Sequence, residues 1–328
     1  MSNKNAEVIE VMKESFMSIA DTRQQSQVRH ELYEIIAMTI AAVIGNCDGW
    51  DEIEDFCHSK EAWLREHMGL KLEHGIPSET TFARVWGRID PDAFKRCFSQ
   101  WTNRIREKLP GEVINIDGKT ACGSRSTRRK AIHMISAWAT EQELVLRQMC
   151  VAEKTNEISS VPLLLELLDV SGCIVTADAM NCQREIAKKI TDGEGDYVLS
   201  LKENQPTLYE YAETYFRDAL EHPQWYPEMR SCETLDKGHG RIEKRTYYLS
   251  PELSGLEKAQ NWPGLAGIGM VCSHVTMGET KSFEVRYAIT SLKSVSAFAY
   301  AMRNHWGIEN GLHHCLDVSF HEDRSRIR

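Results

Sequence analysis

Hydrophobic and polar positions change their period once along the chain. Over residues 1 to about 108 the apolar residues recur at helical spacing. Leu32-Tyr33-Glu34-Ile35-Ile36 runs on to Ile44 almost without a polar break, as expected of a helix buried on most sides. Trp50, Ile53 and Phe56 follow at helical spacing, and Trp63-Leu64 continues the stripe. Gly75-Ile76-Pro77-Ser78 interrupts it, and Ser78-Glu79-Thr80-Thr81 opens a new helix through Phe82 and Val85-Trp86. This helix, turn and second helix, with Thr80, Thr81 and Arg84 near the second start, fits two readings: a helix-turn-helix reader of DNA, or a hairpin that only packs.

Past Leu109-Pro110-Gly111 the pattern becomes that of strands. Residues 113–117, 132–139 and 144–151 suit three antiparallel strands, and 158–168 is a strongly apolar helix. Residues 173–178 form a continuous apolar run of the kind buried on both faces of a sheet. A helix over 183–190 and a central strand over 197–201 complete a mixed sheet flanked by helices, an α/β arrangement. Residues 205 to about 292 interrupt it with a helix at 208–219 and β-like runs at 245–249, 267–274 and 283–290. They read as a β-rich insertion in the sheet domain. A single long helix is expected over 295–316. The expected organisation is therefore a helical domain at 1–108 and a sheet domain at 109–328, without internal repeats or low-complexity segments.

Composition narrows the class only modestly. A chain of 328 residues needs one large core or two to three smaller ones. No apolar run approaches the roughly 20 residues that cross a bilayer. The first sixteen residues are too polar for the core of a secretory signal. The ten cysteines are scattered without a C-x-x-C pair, which predicts reduced, buried thiols rather than a zinc ribbon. A formal net charge of −9 argues against a broadly basic nucleic-acid binder, but basic character is present locally. Arg125, Arg128, Arg129 and Lys130 share a window without an acid, and Arg324, Arg326 and Arg328 close the chain.

The candidate chemistry lies in three acids. Asp117 and Asp178 each follow an apolar strand, so each carboxylate is expected on a rigid element at the rim of the sheet. Each is also a common turn residue, Asp117-Gly118 especially. On a long helix, Phe298, Met302, Trp306, Glu309, His313 and Leu316 would share one face, turning Glu309 toward the sheet. A buried carboxylate needs a cation, a hydrogen-bond partner or a raised pKa. A metal shared with the two aspartates meets that need, and so would local pairing with His305 or His313. Magnesium takes hard oxygen ligands, and two such ions roughly 3.5–4 Å apart cleave phosphodiesters. The His-rich stretch His305, His313, His314, His321 lacks the H-E-x-x-H order of a zinc site.

Further residues fit a phosphate-handling groove around those acids: Lys119, the basic window 125–130, Lys202 and Asn204 after the strand ending at Leu201, and His239 with Arg241. Each alone also fits a solvated surface.

Taken together these residues resemble the H-repeat-associated transposases, a branch of the DDE transposases. The resemblance rests on Ile116-Asp117-Gly118-Lys119-Thr120, His133-Met134-Ile135-Ser136-Ala137-Trp138, Glu153-Lys154-Thr155-Asn156-Glu157-Ile158, Thr176-Ala177-Asp178-Ala179-Met180, His239-Gly240-Arg241 and Asn304-His305-Trp306-Gly307-Ile308-Glu309-Asn310, with Leu316-Asp317-Val318 and Glu322-Asp323 after them. It implies an RNase H-like core, with Asp117, Asp178 and Glu309 as catalytic ligands of two Mg²⁺ ions, for which Mn²⁺ would substitute. It also implies double-stranded DNA as partner, both transposon ends and target, a homodimer on DNA, and a bacterial, cytoplasmic, nucleoid-associated location with no membrane contact. Related transposases carry a Tyr-Arg-Glu-Lys signature around the glutamate, where this chain has His305 and Leu316-Asp317 at the Arg and Lys places. Family members continue past the position of Arg328 into a basic helical tail, so a truncated copy is expected. A catalytically silent DNA-binding relic and a stand-alone RNase H-like nuclease are the alternative readings.

Overall fold

Apolar side chains collect around separate centres in two units, residues 1–107 with 318–320 and residues 108–317 with 321–328. The computed structural model describes residues 3–107, 109–121, 124, 131–151, 157–238, 240–256 and 259–324.

The first unit holds α1 (Asn3–Phe16), α2 (Leu32–Ile44), α3 (Trp50–Ser59), α4 (Glu61–Met68), α5 (Glu79–Trp86) and α6 (Pro91–Ile105). Its core joins Met12 and Phe16 to Ile35, Ile36 and Met38, with Ile53, Leu64, Phe82 and Val85 closing around them. The buried Glu34 carboxylate accepts the Leu72 N–H at 2.9 Å, which anchors the link between α4 and α5. Two expectations change here. The stripe from Trp50 to Leu64 is two helices, because the backbone leaves helical geometry at Lys60 (φ −112°, ψ 13°). Residues 69–78 separate α4 from α5, far more than the roughly 3–4-residue turn of a helix-turn-helix, so that DNA-reading motif is not formed.

The second unit is built on one nine-stranded sheet in the order β3-β2-β1-β4-β5-β9-β8-β7-β6. The strands are β1 (Val113–Ala121), β2 (Ile132–Ala139), β3 (Leu144–Val151), β4 (Ile174–Ala177), β5 (Asp196–Leu201), β6 (Arg230–Gly238), β7 (Arg241–Ser250), β8 (Gly267–Met277) and β9 (Thr280–Thr290). β1, β2 and β3 are antiparallel, while β4 and β5 run parallel to β1. β9 then pairs antiparallel with β5, so the four strands from the interrupting region extend the same sheet. β6 has no sequence signal of its own: Arg230-Ser231-Cys232-Glu233-Thr234 carries too few apolar residues, and it lies at the sheet edge.

Strand alternation assigns the two faces. Ile114, Ile116, Val175 and Leu199 point to a core completed by α7 (Glu157–Leu165), α8 (Arg184–Asp192) and α9 (Pro206–Glu221). Val113, Ile174 and Val198 point to the opposite core, with Phe298, Ala301 and Met302 of α10 (Val295–Asn304). The single long helix expected over 295–316 is broken. After α10 come residues 305–307, a π-helical turn at Ile308–His313 and α11 (His314–Val318). The cause is local. The Asn115 amide donates to the Asn304 carbonyl at 2.9 Å, taking an acceptor that a continuing helix would need. At Gly307 a Cβ would meet Thr140 at 2.8 Å and the Asn115 amide at 3.1 Å, so only glycine lets the helix come that close.

Phe298 fixes α10 on the sheet. It is fully buried, and a Cβ at Gly269 would lie 2.2 Å from its ring. Phe298→Ala is expected to cost about 3–5 kcal/mol, read as a fall in the thermal or urea unfolding midpoint. A variant as stable as the wild type would show that this contact does not hold the helix.

Candidate active site

The β1–β4 ladder ends at the pair Ile116↔Ala177, so Asp117 and Asp178 are the next residues on two neighbouring parallel strands. By alternation both fall on the face shared by Val113, Asn115, Ile174 and Thr176, which is the face covered by α10. Contrary to the expectation from the sequence, Asp117 does not end its strand. β1 continues to Ala121 with Asp117 opposite Ser136, and only the pairing to β4 stops, which opens the aspartate on that side. Asp178 directly follows β4 and caps the short turn at Ala179–Asn181, accepting from the Asn181 backbone N–H at 3.2 Å and side-chain amide at 3.1 Å.

Glu309 departs from expectation. The π-helical turn rotates the helix so that Ile308 and Leu312 are buried against Trp138, and Glu309 is exposed. It lines a groove of about 1040 Å³ with Arg241, Arg245, Arg286, Arg303 and Trp306. Neither His305 nor His313 pairs with it among the described residues, and Arg286 is the cation that stabilises its ionised form. The walls of the groove nevertheless raise its pKa, because they take water from the carboxylate. Among the described residues no three His, Cys, Asp or Glu side chains gather tightly enough to cage a metal ion.

The two aspartates nevertheless have the character of a cation site. Burial pushes the Asp117 carboxyl up to about 7, against the Gly118 N–H that it accepts at 2.8 Å, and Asp178, Glu157 and Glu309 add negative charge around it. His313 Nδ1 lies 3.6 Å from Asp117, and burial lowers the His313 pKa, so its ring brings no dependable positive charge. His313 Nε2 and Asn181 Oδ1 are buried without a hydrogen-bond partner. Hard carboxylate oxygens crowded together, with unpaired acceptors beside them, fit a divalent cation held by Asp117 and Asp178.

Two polar layers beneath the aspartates went unread in the sequence. Thr176 donates to the Asn115 carbonyl oxygen, and the Asn115 amide donates to Thr140 at 2.8 Å and to the Asn304 carbonyl. With the Thr176 proton committed, His305 Nδ1 donates to that hydroxyl at 3.2 Å, leaving Nε2 bare. Burial lowers the His305 pKa to about 4, so the ring is neutral. On the opposite face, Glu157 accepts from His133 Nε2 at 3.0 Å and from the Asn181 amide at 2.7 Å. The available signal was parity: Asn115 and Thr176 are polar residues two before each aspartate in otherwise apolar strands.

The expected DNA-binding residues are dispersed. Lys119 is not free to face DNA, because Asp317 at 2.6 Å, Glu322 at 3.0 Å and Asp323 at 3.5 Å surround its ammonium. Asn204 holds the turn after Asp178 by donating to the Ala179 carbonyl. Lys202 is exposed beside a smaller cavity lined by Asp178, His305 and Arg286. Arg241 lines the Glu309 groove. Arg125, Arg128, Arg129, Lys130 and His239 lie outside the described residues, as do Arg326 and Arg328. Of the cysteines, Cys57, Cys97, Cys173, Cys182 and Cys272 are buried, while Cys150 and Cys315 are exposed, contrary to the expectation of burial. No helix among the described residues is long and apolar enough to cross a membrane.

Comparison with known proteins gives two family matches. The family described as "Transposase DDE domain" matches residues 89–328, and that described as "DDE_Tnp_1-associated" matches residues 13–102. A transposase-designated protein of Escherichia coli O157:H7, YncI, is 41% identical over 322 residues, covering 94% of this chain and 80% of its own. An H repeat-associated, transposase-designated protein of Escherichia coli strain K12, YhhI, is 38% identical over 326 residues, covering 97% of this chain and 85% of its own. A solved piggyBac transposase synaptic complex with hairpin DNA aligns over 96% of this chain and 66% of its own, at 11% identity and a TM-score of 0.39. That likeness is too remote to bear on the site.

The Asp117 shift has a consequence for stability. Its folded pKa of about 7 lies above the ordinary 3.8, so between those values the folded state holds the proton more tightly. Stability of the metal-free protein therefore falls as pH rises from about 4 to 7. Asp117→Asn removes the buried charge and is expected to melt a few degrees above the wild type at pH 8, with the gap closing near pH 4. Equal melting points across that range would contradict the burial assigned to Asp117.

Proposed function

The chain belongs to the transposase DDE-domain family, and on that premise we propose that it is the transposase of an insertion sequence, cleaving and joining DNA strands at the ends of its element. The observation that carries the proposal is the β1–β4 register, which sets Asp117 beside Asp178 on the face beneath the helix leading to Glu309. The antiparallel β1, β2 and β3 beside parallel β4 and β5 support an RNase H-like core.

In this reading Asp117 and Asp178 would hold the cations and Glu309 would be the third ligand. Two Mg²⁺ ions, with Mn²⁺ as substitute, would supply Lewis-acid polarisation of the phosphodiester. Glu309 starts in the groove wall, and closure of the groove on DNA would bring it toward the aspartates. Arg286 and Arg241 would meet phosphate along that wall in competition with Glu284 and Glu243, which already pair with them. Neutral His305, fixed by Thr176, keeps an acceptor near Asp178 without adding a competing cation. Hydrolysis at the transposon end frees a 3′ hydroxyl, and attack of that oxygen on a target phosphodiester joins the strands and expels the target's own 3′ oxygen. Two ends must be held at once, so the working form is a homodimer on DNA at the bacterial nucleoid.

A catalytically silent, DNA-binding relic is the second reading, favoured by the exposure of Glu309 in the groove and away from a shared cage. Nicking of supercoiled plasmid separates the two, and needs no knowledge of the transposon ends because water serves as the nucleophile. The wild type is expected to nick with Mn²⁺ or Mg²⁺, and Asp178→Asn and Glu309→Gln to lose at least about a hundredfold in rate, roughly 2.7 kcal/mol of barrier. Intact DNA binding without nicking by the wild type assigns the chain to the relic. Metal-dependent cleavage with no preference for any duplex end points to a stand-alone nuclease.

A further inference from the structure

We propose that the helical unit carries its own binding site for the sugar–phosphate backbone of duplex DNA, in an arginine-lined cleft between α5 and the segment joining α1 to α2. The cleft has a volume of about 540 Å³, well beyond the needs of one ion. Arg23 and Arg29 line it from the α1–α2 segment, and Thr81, Arg84 and Arg88 from α5 and the turn that follows. No carboxylate among the described residues lines it, although the chain as a whole carries a net charge of −9.

Thr81, Arg84 and Arg88 are spaced by three and four residues, and Gly87 keeps right-handed backbone (φ −64°, ψ −8°), so the three project from one side. The other side of α5 buries Phe82 and Val85 in the core, which makes the display rigid. Arg23 is held by Asp21 through Nε at 2.8 Å and a terminal nitrogen at 2.6 Å, so its charge is already matched. Arg29, Arg84 and Arg88 are exposed, and no carboxylate lies within ion-pair distance of them among the described residues. Like charges drawn to one concave surface without counter-charge repel one another, and an anionic ligand relieves that cost. Guanidinium groups and the Ser78 and Thr81 hydroxyls are donors suited to phosphate oxygens. The lining is dominated by donors, the complement of phosphate oxygens, which every duplex presents whatever its sequence.

The proposal rests on duplex DNA being the partner, but uses none of the groove residues. It is tested with the full chain by anisotropy on labelled duplexes of two unrelated sequences across a salt series. Arg84→Ala/Arg88→Ala is expected to weaken binding to both duplexes alike, roughly tenfold near physiological salt, and to make the log K against log [salt] slope shallower by about two. Arg29→Ala, on the other wall, is expected to remove about one from the slope. The charge control is Lys188→Ala/Lys189→Ala on α8, whose ammonium groups already pair with Asp192 and Glu166. An unchanged slope in the arginine variants, or equal changes in the control, overturns the cleft while leaving plasmid nicking as a separate measure of the active site. A wild type that binds no duplex overturns both. The arginines are exposed, so an unchanged melting midpoint checks that the variants are folded.

Discussion

One buried amide joins the parts of this site. Asn115 is 1% exposed and accepts from Thr176 on β4, while its own amide donates to Thr140 after β2 and to the Asn304 carbonyl. These bonds tie the strands of both aspartates to the end of α10. They also mark where the helix changes from α to π geometry: a carbonyl of its last α turn is shared with Asn115, and the close approach excludes any Cβ at Gly307. Each buried polar group in the cluster has a partner, which is what makes such a network rigid; a half-satisfied one would cost more than an apolar replacement. The interruption places Glu309 in the groove wall, and an unbroken helix would have turned a different residue there.

The carboxylates and the histidines around them are destabilising by themselves. Asp117 is raised to about 7 and His305 lowered to about 4, each chiefly by burial. Both shifts favour neutral forms, and among the described residues no lysine or arginine forms an ion pair with either strand aspartate. Lys119, the nearest lysine in sequence, is surrounded by Asp317, Glu322 and Asp323. Arg286 serves Glu309 and is itself matched by Glu284 at 2.6 Å. Such an arrangement is expected where an external cation is to be bound, since a ready internal one would compete with it.

Much of the sheet was legible because its internal strands have long apolar runs, and the edge strand β3 still carries Leu144, Val145, Leu146, Met149 and Val151. Residues 132–139 and 144–151 coincide with β2 and β3, and 197–201 lies within β5. The failures have separate physical causes. β6 lies at an edge and needs no apolar face, so alternation was invisible. The helix over 295–316 satisfied a 3.6-residue period, but a tertiary bond from Asn115 overrode it, and with the period went the inferred burial of Glu309. Asp117 looked like a strand end because the Asp-Gly dipeptide is a turn signal, yet the antiparallel bonds to β2 carry the strand through it. Individual acids could be found from strand ends; their relation to one another depended on register and on one side chain inserted into a helix.

Charge has the same local logic. The groove beside Glu309 is rich in arginine, but its arginines are already engaged: Arg241 with Glu243 at 2.8 Å, Arg245 with Asp236 at 2.8 Å, Arg303 with Asp236 at 3.1 Å, and Arg286 with Glu284 at 2.6 Å. A phosphate entering there must compete with carboxylates, so part of its attraction offsets bonds already made. Arg84 of α5 and Arg88 in the turn that follows face no such competition. Counterion release rewards each unpaired cation more than each paired one, and salt-dependent affinity is therefore expected to arise mainly away from the groove. The groove, with its arginines paired, is left to discriminate by geometry, because only a strand that fits among the existing pairs recovers what it displaces. A net charge of −9 is compatible with DNA as partner when unpaired basic groups are concentrated in one place and paired ones line another.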